Sequence, residues 1–94
     1  MEEDDVINRI NSILEIEGVT RDALSAKTGV GYSHWNNVLQ RKAKLRHDEI
    51  IAIGRAWPEY RLWIAYGDEL PEAGQISPMT KKTQEDLREA GKAG

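Results

Sequence analysis

The chain has 94 residues, 39% of them hydrophobic, and no cysteine. That length predicts one domain with a modest helical core, of a size at which oligomerisation often adds burial. The lack of thiols excludes disulfides, cysteine nucleophiles and cysteine-based zinc sites. The formal net charge of −3 argues at first against a nucleic-acid ligand, but the charge is unevenly placed. Residues 1–18 carry Glu2, Glu3, Asp4, Asp5, Glu15 and Glu17 against Arg9, a net −5. Residues 19–47 carry Arg21, Lys27, Arg41, Lys42, Lys44 and Arg46 against Asp22, a net +5. A phosphate backbone responds to the local field of one face rather than to the total. No apolar run approaches the roughly 20 residues needed to span a bilayer. The acidic start is unlike the basic start of a signal peptide, so a cytoplasmic location is expected.

Asp5 is placed to cap a first helix, in which Val6, Ile7, Ile10, Ile13 and Leu14 recur at helical spacing and which Gly18 can end. Thr20 is a natural N-cap for a second helix, with Asp22 in its first turn and Gly29 as its stop. Val30-Gly31 then leads into a third helix, expected over Tyr32–Arg41. Its apolar side is Trp35, Val38 and Leu39, and its opposite side is Ser33, Asn36, Asn37 and Gln40. A fourth helix follows Asp48, with Ile50, Ile53, Gly54 and Trp57 on one side, and Gly54 permits a close neighbour. Pro58 breaks it and starts a fifth, carrying Tyr60, Leu62, Trp63, Ile64 and Tyr66, which Gly67 can stop. Asp68 to Pro78 contains Pro71, Gly74 and Pro78 and reads as an extended arm or turn. Met79 to Ala90 reads as a solvated helix or a tail, and Gly91 to Gly94 is expected to be disordered. The expected fold is all-α: a five-helix domain over 1–67, then a short extended C-terminal arm and tail over 68–94.

Two short helices joined by a tight glycine turn have specific requirements. The first needs a small residue where it crosses the second, the turn needs a residue tolerant of positive φ, and the second needs an apolar inner and a polar outer face. Residues 21–40, RDALSAKTGVGYSHWNNVLQ, meet them. This stretch resembles the helix-turn-helix of the lambda repressor/Cro (Xre-type) family. Ser25 falls on the small-residue position, Gly29 on the turn glycine, and Leu24, Val30, Trp35 and Val38 on the buried positions. Arg21 stands where glutamine is common, Trp35 is larger than the usual valine or isoleucine, Ala23 gives Thr20 no capping-box partner, and Arg46 replaces a capping serine or threonine. The segment WPEYRLWIAYG, followed by PEAGQISP, is similar to the C-terminal part of small phage regulators, most of all the repressor C proteins of filamentous Pseudomonas phages. The resemblance spans roughly Val6 to Pro78. It implies a lambda-repressor-like domain acting as an operator-binding dimer that represses transcription.

On that resemblance the third helix is the reading helix. Tyr32, Ser33 and Asn37 match family positions that reach base edges. His34 and Asn36 lie beside them and join the expected base contacts. Gln40 matches a backbone-contacting position. Arg21 would stand at the N-terminus of the bracing helix, and Arg41, Lys42, Lys44 and Arg46 follow the reading helix, so these five are expected on phosphates. Trp57 and Trp63 read as core or dimer-interface residues. Leu62, Trp63, Tyr66 and Ile76 form the expected dimer surface. With two histidines, no cysteine and no His-x3-His pair, no metal and no cofactor is expected. No nucleophile motif or phosphate-binding glycine loop is present, so no enzymatic activity is expected. The expected partners are double-stranded DNA and a second copy, with no membrane or small-molecule substrate. A DNA-binding antitoxin and a protein-interaction adaptor on the same scaffold are the competing readings.

Overall fold

A computed structural model describes residues 3–92. The first two residues of the acidic start and the last two of the expected disordered end lie outside them. Helix α1 (Glu3–Glu17) opens with Glu3, Asp4 and Asp5 in its first turn, where carboxylates meet the positive end of the helix dipole. Asp5 therefore sits inside the helix rather than capping it. Helices α2 (Arg21–Thr28), α3 (Tyr32–Leu39), α4 (His47–Ala56) and α5 (Arg61–Tyr66) follow. Pro58–Tyr60 forms a single 3-10 turn into α5, as suits a proline that breaks one helix and starts the next.

The apolar periodicity of each helix converges on one core. Val6, Ile7, Ile10 and Ile13 of α1 meet Leu24 of α2, Trp35 and Leu39 of α3, Ile53 of α4, Trp57, Tyr60, and Trp63 and Ile64 of α5. Helix α4 packs on α2 and α5, and α1 on α3 and α5. Gly54 has the close neighbour expected of it: a Cβ there would lie 3.2 Å from Arg61 Cγ. Gly67 ends α5 at φ 77° and faces the Arg9 guanidinium.

The C-terminal segment differs from expectation. Residues 68–77 are not an extended arm. Pro71–Ala73 forms a second 3-10 turn, closed by a backbone bridge between Leu70 and Gln75. Gln75 then ties this turn to the domain: its Oε1 accepts from Leu62 N at 2.9 Å and its Nε2 donates to Pro58 O at 3.0 Å. Ile76 N donates to Glu59 O at 2.9 Å. Of the solvated helix or tail expected over Met79 to Ala90, the helix is what forms: α6 (Pro78–Lys92), which also takes in Gly91 from the end expected to be disordered. It starts because Ser77 is an N-cap, its Oγ accepting from Thr80 N at 3.1 Å, with proline at the first helical position. Glu69 Oε1 accepts from Ser77 N at 2.7 Å. Hydrogen bonds from Thr80 and then Ser77 hold the Glu69 carboxyl below its usual range.

Lys81 pins α6 to the body. Its Nζ donates to Glu17 Oε1 at 2.9 Å and Glu59 Oε2 at 3.0 Å, and lies 5.5 Å from the Tyr60 ring centroid. Burial pulls the Lys81 ammonium down, but its bonds to Glu17 and Glu59 outweigh that and raise it. Burial, followed by the charge of Glu17, pushes the Tyr60 phenol up to about 12. Among the described residues, no helix is long and apolar enough to cross a membrane.

Candidate functional site

The site grows from the joint between α2 and α3. Thr20 caps α2, its Oγ1 accepting from Ala23 N at 3.1 Å. Gly29 ends α2 at φ 76°, and its N–H returns to Ser25 O at 2.9 Å. Ser25 Oγ donates to Val30 O at 2.7 Å, so the small residue of α2 also fastens the turn. Thr28 is the centre of this joint. Its Oγ1 donates to Leu24 O at 2.7 Å and accepts from Trp35 Nε1 at 2.9 Å and Val30 N at 3.3 Å. Trp35 is fully buried, so this hydroxyl satisfies an indole N–H that water does not reach.

Helix α3 is held on both flanks. On the α2 side, Arg21 Nη1 donates to Asn36 Oδ1, which also accepts from Gln40 Nε2 at 3.4 Å. On the α4 side, His34 Nε2 bonds Glu49 Oε1. At 100° per residue, positions 34 and 36 lie on opposite shoulders of the buried seam of Trp35, Val38 and Leu39. The face opposite that seam is Ser33, Asn37 and Gln40, all exposed, with Tyr32 exposed at the helix start. The stripe expected from sequence thus narrows: Asn36 is drawn toward α2 and His34 toward α4.

Helix α3, expected to run to Arg41, ends at Leu39. Gln40 caps it, and Arg41 turns left-handed at φ 63°. That backbone is unusual for a residue with a Cβ and is held by contacts at both ends. Arg41 N donates to Val38 O at 3.0 Å. Its side chain crosses to α1, with Nε to Asp4 Oδ1 at 2.6 Å and Nη2 to Asn8 Oδ1 at 3.3 Å. Glu3 Oε1 also accepts from Leu45 N at 3.3 Å. The acidic opening of α1 therefore lies beside the basic loop. Lys42, Lys44 and Arg46 of that loop are exposed. Arg21 and Arg41, both expected on phosphates, are each engaged with a side chain of this chain.

The four expected dimer residues do not share one environment. Trp63 is 8% exposed and belongs to the core, edge-on to Tyr60 at 6.5 Å between ring centroids. Leu62 and Ile76 are half-buried, and Tyr66 is 69% exposed. A separate apolar groove lies between α4 and α5, lined by Ile50, Ile51, Gly54, Ile64 and Ala65 and rimmed by Arg55 and Arg61.

Two residues that hold α3 in place carried only faint signals in the sequence. Thr28 carried one signal, a β-branched hydroxyl residue in the last turn before Gly29. Glu49 carried a clearer one: it stands four residues before Ile53 and eight before Trp57, on the buried stripe of α4.

No known family profile matches this chain, and no curated protein matches it. Among solved structures it is similar to Pf6r from the filamentous phage Pf6 of Pseudomonas aeruginosa PA01. Identity is 26% and the TM-score 0.71, over 88% of this chain and 96% of that one.

Proposed function

We propose that this chain is a sequence-specific, double-stranded DNA-binding regulator of the lambda-repressor-like helix-turn-helix type. In this reading α2 braces and α3 reads the major groove. A homodimer in the host cytoplasm binds an inverted-repeat operator and represses transcription. The observation that carries the reading is the outer face of α3. Ser33, Asn37 and Gln40 are exposed together on a helix fixed at both shoulders, beside the exposed Lys42, Lys44 and Arg46. Hydroxyl and amide groups on such a helix suit base edges, and the following basic loop suits phosphates. The likeness to a protein of a filamentous Pseudomonas phage supports a phage or prophage setting. Tyr66 and the α4–α5 groove supply apolar surface for a second copy.

The deciding experiment is selection of bound fragments from random duplex DNA. The expected result is an inverted repeat with half-sites about 34 Å apart, one helical turn. Enrichment of no motif, with affinity indifferent to salt, refutes the reading.

A further inference from the structure

Glu49 is 2% exposed. Its Oε1 meets His34 Nε2, while its Oε2 is buried with no hydrogen-bond partner among the described residues. A buried carboxylate with one oxygen unsatisfied opposes folding, so packing does not account for it. Its one side-chain partner stands on the reading helix, next to Ser33 and one turn before Asn37, and the His34 side chain remains 38% exposed.

We infer that Glu49 is a positioning residue: it fixes which ring nitrogen of His34 is left for DNA, and so selects a base that presents an amino group in the major groove. This rests on the DNA-reading function proposed above. An ionised carboxylate only accepts hydrogen bonds, so Nε2 carries the hydrogen. In the neutral form of the ring Nδ1 is then the acceptor, whereas the doubly protonated ring has none. An acceptor gains nothing from a phosphate oxygen. In the major groove the donors are the adenine N6 and cytosine N4 amino groups. His34 therefore favours adenine or cytosine over guanine or thymine at one step of each half-site.

The test compares fragment selection by the wild type, Glu49→Gln, His34→Ala and the double variant, with thermal unfolding of each. The glutamine amide keeps the side chain's shape but can either donate to or accept from Nε2, so it no longer holds the ring to one tautomer. The wild type is expected to favour adenine or cytosine at one step by about two- to tenfold, the worth of one neutral hydrogen bond. Glu49→Gln loses that preference and keeps the repeat and every other position. In the His34→Ala background, Glu49→Gln changes nothing further. A preference untouched by Glu49→Gln, an equal change in the His34→Ala background, or guanine at the step that His34→Ala relaxes each overturns the inference while leaving the operator reading intact. Absence of any repeat in the wild type overturns both. A second measurement needs no variant: long-range proton–nitrogen NMR of the free protein should show His34 as the Nε2–H tautomer, and either the Nδ1–H tautomer or a doubly protonated ring overturns the inference.

Discussion

Replacing Thr28 by valine removes one oxygen and keeps the shape of the side chain. The Leu24 carbonyl retains its place in the helical ladder and loses little. The fully buried Trp35 indole N–H, 2.9 Å from that oxygen, loses its partner. The Val30 N–H, 3.3 Å away, loses the same acceptor. Stranding a buried donor costs about 1–3 kcal/mol. Because the volume is conserved, no cavity term is added. The expected loss is therefore about 2 kcal/mol, a large share of the roughly 5–15 kcal/mol that holds a small domain. For a chain of this size that corresponds to a fall of roughly 8–16 °C in Tm. Urea unfolding, followed by tryptophan fluorescence and far-ultraviolet circular dichroism, measures it directly. Thr28→Ser keeps the hydroxyl and should recover most of the loss. A Thr28→Val midpoint within about 0.5 kcal/mol of the wild type, the range of neutral surface changes, refutes the assignment of this hydroxyl as the fastener of α2 to α3.

Asn37→Ala should lower the preference for operator over random DNA by about 1–3 kcal/mol. An equal fall on both DNAs in competition binding counts against a base-reading role. Lys42→Ala should weaken all duplexes and reduce the salt slope by about 0.9, and an unchanged slope removes Lys42 from the phosphate set. Gly67→Ala places a Cβ 2.8 Å from Arg9 Nη2 at φ 77°. Equilibrium unfolding should show a loss of about 1–2 kcal/mol from backbone strain alone. Stability should also fall at alkaline pH. The Tyr60 phenol is raised from 10.0 to about 12, first by burial and then by Glu17. Folding thus favours its protonated form, and this contribution is complete below about pH 10 and lost as pH rises through about 12. Tyr60→Phe should flatten that limb of the pH–Tm curve, and a limb of the same slope argues against Tyr60 as its source.

The helices from α1 to α5 were legible because single residues mark their ends. Thr20 and Gly29 bound α2, and Gly67 stops α5, each through geometry that propensity already encodes. The seam of Trp35, Val38 and Leu39 was legible from spacing and is buried. The sixth helix was legible only as an alternative to a tail, because Ser77-Pro78 reads as a break until one sees that serine caps what proline begins. Its polar sequence gives no apolar stripe, and it is anchored instead through Lys81, a charge whose partners Glu17 and Glu59 are far away in sequence. The end of α3 was missed for a similar reason. Arg41 takes a left-handed backbone usually left to glycine, held by Asp4 and Asn8 of α1, more than thirty residues earlier. In the candidate site, periodicity identified the outer face but not the shoulders. The pairs Arg21–Asn36 and His34–Glu49 each join residues on different helices, and spacing within one helix carries no information about them.

Helix α3 has eight residues, fewer than an isolated peptide needs to stay helical in water. Its shape is borrowed from Thr28 beneath it and from Arg21 and Glu49 at its shoulders. Whatever meets its outer face finds those backbone torsions already chosen. The conformational entropy of ordering Tyr32–Leu39 is lost once, when the domain folds, and not again at each encounter. A loop carrying the same Ser33, Asn37 and Gln40 would lose it every time it bound.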